Sequence, residues 1–240
     1  MRTGARSTRN RPAKAPLSRA AVVAAGLGVL RDEGLGAVTM RRVANALDTG
    51  PASLYVYVEN RDELLRQMFD AVASTVHLPP IDPPRWREQL KSLLTASVEA
   101  QNAYPGIARV AIGSIPTGPA SLAMAERVVT LLRIGGIGDQ AAAWACDLLA
   151  LFITAVAFET GVRNGPNPGP PEPADRSARA TPGWQRQQSE IATLLEAIPA
   201  ETYPTLSLLG GPMTYGSAAQ RLDFGLDVLL NGLLATPVEP

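Results

Sequence analysis

The sequence predicts an all-α protein, and three observations support that fold class. Apolar residues recur every three or four positions along most of the chain, the spacing that places them on one face of a helix. Prolines and glycines interrupt these stretches, as they do at helix ends. No stretch of useful length alternates apolar and polar residues as a strand would. The 240 residues, 46% of them hydrophobic, are enough for a substantial core.

The chain begins with a basic arm and a first helix. Residues 1–16 contain no acidic side chain and almost nothing apolar, so we expect this segment to be disordered. Ser18 can cap the first helix, and Gly34 can end it. The basic residues of the arm are Arg2, Arg6, Arg9, Arg11 and Lys14.

Two short helices and then a longer one are predicted next. Thr39 can cap the second helix. Gly50 and Pro51 suit the N-cap and first positions of a third short helix over residues 52–58. Asn60, with a glutamate three residues later, resembles a capping box and opens a fourth helix that runs to about residue 76.

The rest of the chain predicts further helices separated by breaks. Prolines and glycines are dense at about 164–182, which predicts a flexible loop, and they mark a second break at 199–216. We expect three regions: a disordered arm (1–16), an N-terminal domain (17–62) and a helical C-terminal domain (63–236). The predicted helices of the last region are 84–103, 105–113, 119–135, 139–163, 183–197 and 215–234.

The charges divide unevenly between the two ends. The formal net charge is zero, but residues 1–66 contain 11 Lys and Arg against 6 Asp and Glu, a net charge of +5. Residues 67–240 contain 11 against 16, a net charge of −5. This asymmetry favours an N-terminus that faces a nucleic acid or a membrane, on a mildly acidic body.

The numbers of cysteines and histidines limit which disulfides and metal sites the chain can form. Cys146 is the only cysteine, so the chain has no internal disulfide, and one histidine makes a structural zinc site improbable. The apolar run at 141–158 contains Asp147, which favours a buried helix over a membrane span. We therefore expect a soluble, cytoplasmic protein.

A helix-turn-helix pattern is the main functional signal. Two short helices joined by a tight turn, after a longer helix and a basic arm, suit insertion of a recognition helix into the major groove. Residues 39–47 (TMRRVANAL) and 53–65 (SLYVYVENRDELL) closely resemble the DNA-binding signature of the tetracycline-repressor (TetR) family. The resemblance covers about residues 18–70. It departs from the family pattern at Asp48, where a turn glycine is usual, and at Gly50, where Ser or Thr is usual.

The resemblance implies a set of DNA-binding residues whose chemistry is suitable. Hydroxyl and guanidinium groups can contact phosphates, and small side chains allow close approach to the groove. Tyr57 has two interpretations, contact with DNA or packing beneath the recognition helix. The implied residues are Thr39, Arg41, Arg42, Pro51, Ala52, Ser53, Tyr55, Tyr57 and Arg61.

Residues 86–163 resemble, more loosely, the family's ligand-binding domain. The resemblance rests on the opening of the fifth helix at Trp86, on residues 113–116 and on the order of the helices. Ala111 stands where the resemblance implies a magnesium-binding histidine, so we do not expect a tetracycline–magnesium effector. We also expect no metal site and no cofactor. The candidate contacts for a small, largely apolar effector, each of which can instead be ordinary core, are His77, Leu93, Ser97, Gln101, Ile112, Ser114 and Trp144.

A leucine stripe on the last helix predicts a homodimer interface. Paired with the run at 141–158, it can form a four-helix interface across a two-fold axis, and Gly225 and Gly232 can let a partner approach closely. The stripe is also compatible with the core of a single subunit. The predicted interface residues are Leu148, Phe152, Leu222, Leu226, Leu229 and Leu233.

Together these features predict a ligand-responsive transcriptional regulator, a repressor that binds a palindromic operator as a homodimer and is released by an effector. An enzyme would need a nucleophile with its base or clustered metal ligands, and one histidine and one cysteine offer little of either. A DNA-binding protein with no effector is the second alternative, and its pocket would be filled with core side chains.

Overall fold

A computed structural model of the chain describes residues 16–113, 115–164, 183–236 and 238. Over these ranges the chain forms α- and 3₁₀-helices and no strand, which confirms the all-α prediction. The predicted basic arm, except Pro16, and nearly all of the predicted loop at 164–182 lie outside the described residues, as does Ser114.

The N-terminal unit contains three α-helices and two 3₁₀-helices. Ser18 caps α1 by accepting the Ala21 N–H at 3.2 Å, and Gly34 ends the helix with a φ of 84°. Thr39 and Asn60 cap α2 and α3 in the same way. The elements are α1 (Arg19–Glu33), a 3₁₀-helix (Leu35–Ala37), α2 (Met40–Ala46), a second 3₁₀-helix (Pro51–Val56) and α3 (Arg61–Ala73).

The predicted third helix is therefore a 3₁₀-helix of six residues, which we call the recognition segment (Pro51–Val56). Short helical pieces commonly take this tighter geometry, and the Ser53 N–H bonds to the Gly50 carbonyl three residues back. Asp48, in the turn that precedes the segment, has a φ of 51°. This left-handed conformation explains why glycine is usual at that position in the family pattern.

The core of the N-terminal unit extends along α3. Val22, Leu30 and Leu54 are fully buried in one cluster with Leu64 and Met68 of α3. The predicted boundary at residue 62 thus falls at the start of a helix whose apolar face belongs to the N-terminal core.

The C-terminal unit is a bundle of seven α-helices over the described residues. A 3₁₀-helix at Pro83–Arg85 leads into it. The helices are α4 (Trp86–Asn102), α5 (Ala108–Gly113), α6 (Pro119–Ile134), α7 (Asp139–Asn164), α8 (Gly183–Glu196), α9 (Pro204–Thr214) and α10 (Ala218–Ala235).

Helix α9 corrects the prediction of a break at 199–216. Pro204 occupies the first turn of α9, where its missing N–H has no helical partner to lose. Pro212 lies in the last turn, so only the end of the helix is affected. The density of prolines and glycines indicated a loop, but these prolines lie where a helix tolerates them.

Helix α7 lies at the centre of the bundle and packs on α4, α5, α6, α8 and α10. Among the described residues, one stretch, Asp139–Gly161 of this helix, is long and apolar enough to cross a membrane by length and composition alone. Its buried residues, including Ala142, Leu149 and Ala157, belong to the core of the bundle.

An ion-pair cluster joins α10 to α4. Lys91 Nζ lies 2.6 Å from Asp223 Oδ1 and 2.9 Å from Asp227 Oδ2, and Arg87 donates to Asp227 Oδ1 at 3.0 Å. Hydrogen bonds from Lys91 and Arg87 lower the pKa of Asp227.

Candidate nucleic-acid interface and effector cavity

The recognition segment is anchored on one side and exposed on the other. Leu54 is fully buried in the N-terminal core and fixes the orientation of the segment. Pro51 and Ala52 are exposed, and Tyr55 is 55% exposed with its phenol on the surface. Val56 is 78% exposed and was not among the predicted residues. Its position shows that the outward face of the segment offers apolar contact as well as a hydroxyl.

The two adjacent arginines of α2 have different surroundings. Arg42 forms an ion pair with Glu33 at the end of α1, with its Nε 2.9 Å and 3.0 Å from the two carboxylate oxygens, and the hydrogen bond to Glu33 raises the pKa of Arg42. Arg41 is exposed. The Thr39 Oγ1 accepts the Arg42 N–H at 3.1 Å, which leaves the hydroxyl proton available as a donor.

Tyr57 and Arg61 hold the N-terminal unit together. The Tyr57 hydroxyl donates to the Leu17 carbonyl at 2.7 Å, and the half-buried ring packs on the core, which favours the packing interpretation of this residue. Arg61 donates through Nε to the Val38 carbonyl at 2.6 Å and through Nη2 to the Leu35 carbonyl at 3.1 Å. The Arg61 guanidinium thus links the start of α3 to the segment between α1 and α2.

A cavity of about 510 Å³ lies in the C-terminal unit between α3, α4, α5, α6 and α7. Apolar side chains such as Leu94, Met124, Val128 and Leu149 form most of its wall. Its polar lining consists mainly of Ser97, Gln101, Ser121, Asp147 and Thr154. Such a volume and lining are typical of sites for drug-sized organic molecules.

The structure brings three of the predicted effector contacts to this cavity: Ser97, Gln101 and Ile112. Leu93 packs in the core beside it, because residues 94, 97 and 101 form the face of α4 that lines the space. The prediction that it contacts the effector is therefore wrong in this structure.

Two further predicted contacts also lie away from the cavity. His77 is exposed in the segment that follows α3, and Val76 faces the cavity instead. Trp144 is 62% exposed and does not line the cavity, although Asp147, one turn further along α7, does. Both predictions are corrected. Ala111 lines the cavity, and no cluster of three or more potential metal ligands occurs within the described ranges.

Helix α3 belongs to both units. Leu64 and Met68 are fully buried in the N-terminal core, while Phe69 and Ala73 line the cavity. Val72 contributes to both. A molecule in the cavity therefore touches the helix that supports the recognition segment.

Asp70 links α3 to the start of α6. Its Oδ1 accepts the Ser121 N–H at 2.8 Å and the Ser121 hydroxyl at 3.0 Å, and its Oδ2 lies 3.4 Å from the Ala120 nitrogen. The N-cap of α6 is Gly118, which has no side chain, so Asp70 supplies the cap from another helix. A Cβ at Gly118 would lie 2.1 Å from the Asp70 carboxyl carbon, so this close contact requires glycine.

The leucine stripe of α10 faces the core of its own subunit. Leu222 and Leu226 are buried in the bundle, and Leu229 and Leu233 pack against it. This arrangement corrects the prediction that the stripe itself forms the dimer interface. A Cβ at Gly225 would lie 2.5 Å from the Phe152 ring, so the predicted close approach at this glycine occurs within one subunit.

Other apolar side chains of α7 and α10 remain on the surface. Phe224 is 69% exposed and Val228 is also exposed on the outer face of α10. Leu148 of α7, one of the predicted interface residues, is exposed as well. The outer face of α10 is therefore apolar as well as the face that carries the leucine stripe.

Two family models match the chain in adjacent parts. Residues 22–68 match the model for bacterial regulatory proteins of the tetR family, and residues 78–236 match that of the tetracyclin repressor-like C-terminal domain. The HTH-type transcriptional repressor DrrR1 of Streptomyces coeruleorubidus is 28% identical over 232 residues, which cover 94% of this chain and 82% of that protein.

Solved structures are similar over the same region. ActR from Streptomyces coelicolor in complex with actinorhodin is 38% identical, with a TM-score of 0.79 over 94% of this chain and 99% of that one. BioQ with its double-stranded DNA operator is 25% identical, with a TM-score of 0.57 over 62% of this chain and 90% of that one.

Proposed function

The chain belongs to the tetracycline-repressor family of ligand-responsive DNA-binding regulators, and from that premise we propose that it binds a palindromic operator as a homodimer and is released by a small molecule. The observation that carries this proposal is α3, which supports the recognition segment and forms one wall of the cavity. Regulation of transcription, rather than catalysis, is its activity. DrrR1 is named a repressor, which supports repression and not activation of transcription by this protein.

At the DNA, the exposed face of the recognition segment enters the major groove. Pro51, Ala52 and Ser53 permit close approach, Tyr55 donates its phenol to a phosphate, and Arg41 adds a charge contact. BioQ with its operator supports this use of the N-terminal unit.

Four other predicted residues act mainly by positioning. Thr39 caps α2 and keeps a proton to donate to a phosphate, while Arg42 pairs with Glu33 and lies near the backbone. Tyr57 and Arg61 hold the segments around the recognition segment in place. We propose domain limits of 17–62 and 63–236, with α3 as the shared helix, and a basic arm at 1–16.

A homodimer supplies the second recognition segment, since one short segment reads too few bases for a specific site. The exposed apolar side chains of Leu148, Phe224 and Val228 form the subunit contact. The partners of the protein are thus a DNA operator, a second copy of the chain and an effector. We propose that it is located in the cytoplasm, where the bacterial chromosome lies.

Release follows from differential affinity. An effector that fits the cavity only when α3 is tilted favours that orientation and changes the separation of the two recognition segments. Couplings of this kind are typically worth about 1–3 kcal/mol, or 5- to 150-fold in affinity. The link from Asp70 to α6 makes α3 and α6 move together when the cavity fills.

Footprinting of the purified protein on genomic DNA identifies the operator and tests the DNA interface. Once the operator is known, Tyr55→Phe should weaken binding by about threefold to tenfold, since one hydrogen bond to a charged phosphate is lost. Circular dichroism should show unchanged folding, because the Tyr55 side chain is exposed. Operator affinity equal to that of the wild type would remove Tyr55 from the interface.

A further inference from the structure

One of the fully buried side-chain polar atoms that lack a hydrogen-bond partner lies in the wall of the cavity. Gln101 is 7% exposed, and its Oε1 is buried without a hydrogen-bond partner among the described residues. Two other buried amide oxygens, on Gln67 and Asn102, also lack partners, but neither residue lines the cavity. An orphaned acceptor of this kind costs about 1–3 kcal/mol of folding free energy unless something supplies its hydrogen bond.

The neighbouring polar side chain on the same helix is satisfied. Ser97, one turn before Gln101 on α4, donates its hydroxyl to the Leu93 carbonyl at 2.8 Å. It therefore has no proton left for a ligand, although it lines the same cavity. The Ser97 Oγ can still accept a hydrogen bond, but its hydroxyl already has a partner, whereas the buried Gln101 Oε1 has none among the described residues.

The charge of the cavity limits what can enter it. Among the lining residues that the structure describes there is no Lys, Arg or His, and the only ionisable carboxylate is that of Asp147. An anionic ligand would lose its hydration without gaining a counter-ion, and it would be repelled by Asp147. A neutral ligand meets neither penalty.

We propose that Gln101 determines which effectors bind, by accepting a hydrogen bond from a hydroxyl group of an uncharged, largely apolar ring compound. This inference rests on the proposed effector role of the cavity and specifies the chemistry of its ligand. The apolar wall binds the body of the molecule, and the Gln101 Oε1 selects for a donor at one position. A site that hydrogen-bonds a ligand group discriminates against analogues that lack it, because its own polar atom is then left unpaired.

The test uses three probes with one ring system: 9-phenanthrol, 9-methylphenanthrene and phenanthrene-9-carboxylate. The first two differ by a hydroxyl against a methyl group of similar size, and the third adds a negative charge. Dissociation constants for all three are measured by fluorescence titration on the wild type, on Gln101→Leu and on the matched control Asn102→Leu, whose amide oxygen is also buried without a partner but lies outside the cavity. The informative quantity is the affinity of the phenanthrol relative to the methyl compound in each protein.

We expect this ratio to fall about tenfold in Gln101→Leu and to stay within twofold of wild type in Asn102→Leu, with the carboxylate weakest in all three proteins. The ligand-free Gln101→Leu protein should melt about 2 °C or more above the wild type, because an orphaned amide is replaced by an apolar side chain. A purely structural glutamine would give the opposite shift.

An unchanged ratio in Gln101→Leu, tightest binding by the carboxylate, or no binding by either neutral probe overturns the inference. The operator titration with Tyr55→Phe uses no phenanthrene, so the proposed DNA-binding function and this ligand chemistry can fail separately. A lower melting temperature for Gln101→Leu would likewise contradict an orphaned amide.

Discussion

Removal of the Asp70 carboxylate breaks the link between α3 and α6. In Asp70→Ala the amides of Ala120 and Ser121 lose their acceptor, and Gly118 offers no side chain to replace it. Loss of a helix cap costs about 1 kcal/mol, and loss of a negative charge at a helix N-terminus adds roughly 0.5 kcal/mol. We therefore expect a total destabilisation of about 1.5 kcal/mol, or a melting temperature lower by about 3–6 °C.

Two matched variants separate the contributions to this loss. Asp70→Asn keeps the acceptor oxygen for Ser121 and removes the charge and the more distant second oxygen, so it should lose less stability than Asp70→Ala. Ser121→Ala removes the hydroxyl bond and leaves the backbone amide bonded to Asp70, so its effect should also be small. Thermal unfolding followed by circular dichroism gives the three shifts.

Amide hydrogen exchange shows which helices the Asp70→Ala substitution destabilises. The amides of the first turn of α6 should exchange faster in Asp70→Ala, while those of α1 and α2 remain protected as in the wild type. An Asp70→Ala protein that melts within 1 °C of the wild type, with unchanged exchange in α6, would show that Asp70 does not cap that helix.

Three further predictions follow from other parts of the molecule. Asp48→Gly should raise the free energy of unfolding by up to about 1 kcal/mol, measured by urea denaturation, because glycine adopts a positive φ without strain. Asp48→Asn should leave the free energy of unfolding unchanged. Both variants should bind the operator more tightly at low salt in anisotropy titrations, because each removes a negative charge. Phe224→Glu should raise the dimer dissociation constant at least tenfold in sedimentation experiments, by placing a charge in an apolar contact, whereas Leu122→Glu on exposed α6 surface should leave it unchanged. Asp227→Asn should lower the melting temperature at pH 7. The pKa of Asp227 is lowered from 3.8 in the folded protein. The difference in melting temperature from the wild type should therefore persist down to about pH 5 and shrink as the pH falls below 3.8.

The helical architecture was predictable because its signals are local. Ser18, Thr39 and Asn60 each cap the helix that the sequence assigns to them, and Gly34 ends α1 with a positive φ. The recognition segment was placed correctly by Gly50 and its following proline, although its 3₁₀ geometry was not. Caps and turns depend on a few adjacent residues, so the sequence contains the information directly.

The faces of the helices were harder to predict because they depend on tertiary packing. α10 is apolar on two sides, and only the packed structure shows that Leu226 faces the core and Phe224 the surface. Arg61 was predicted as a phosphate contact from its position in the motif, but its carbonyl partners lie more than twenty residues away in the sequence. The contribution of α3 to the cavity could have been predicted from the sequence, since Phe69 and Ala73 are four positions apart and so form an apolar face in addition to the face that Leu64 and Met68 bury in the N-terminal core.

Occupying the cavity should weaken DNA binding through α3, and this coupling can be measured without knowing the effector. Cys146 is the only cysteine and lines the cavity, so a bulky apolar maleimide attached to it occupies that space. Burial and the nearby Asp147 raise the pKa of the thiol, so labelling is carried out at about pH 8.5 and followed to completion by mass spectrometry. The measurement is operator affinity before and after labelling, with Cys146→Ala treated in the same way as the control. We predict that the labelled protein binds its operator about tenfold more weakly and that the control is unaffected. If fully labelled protein binds the operator as tightly as unlabelled protein, occupancy of the cavity does not control DNA binding.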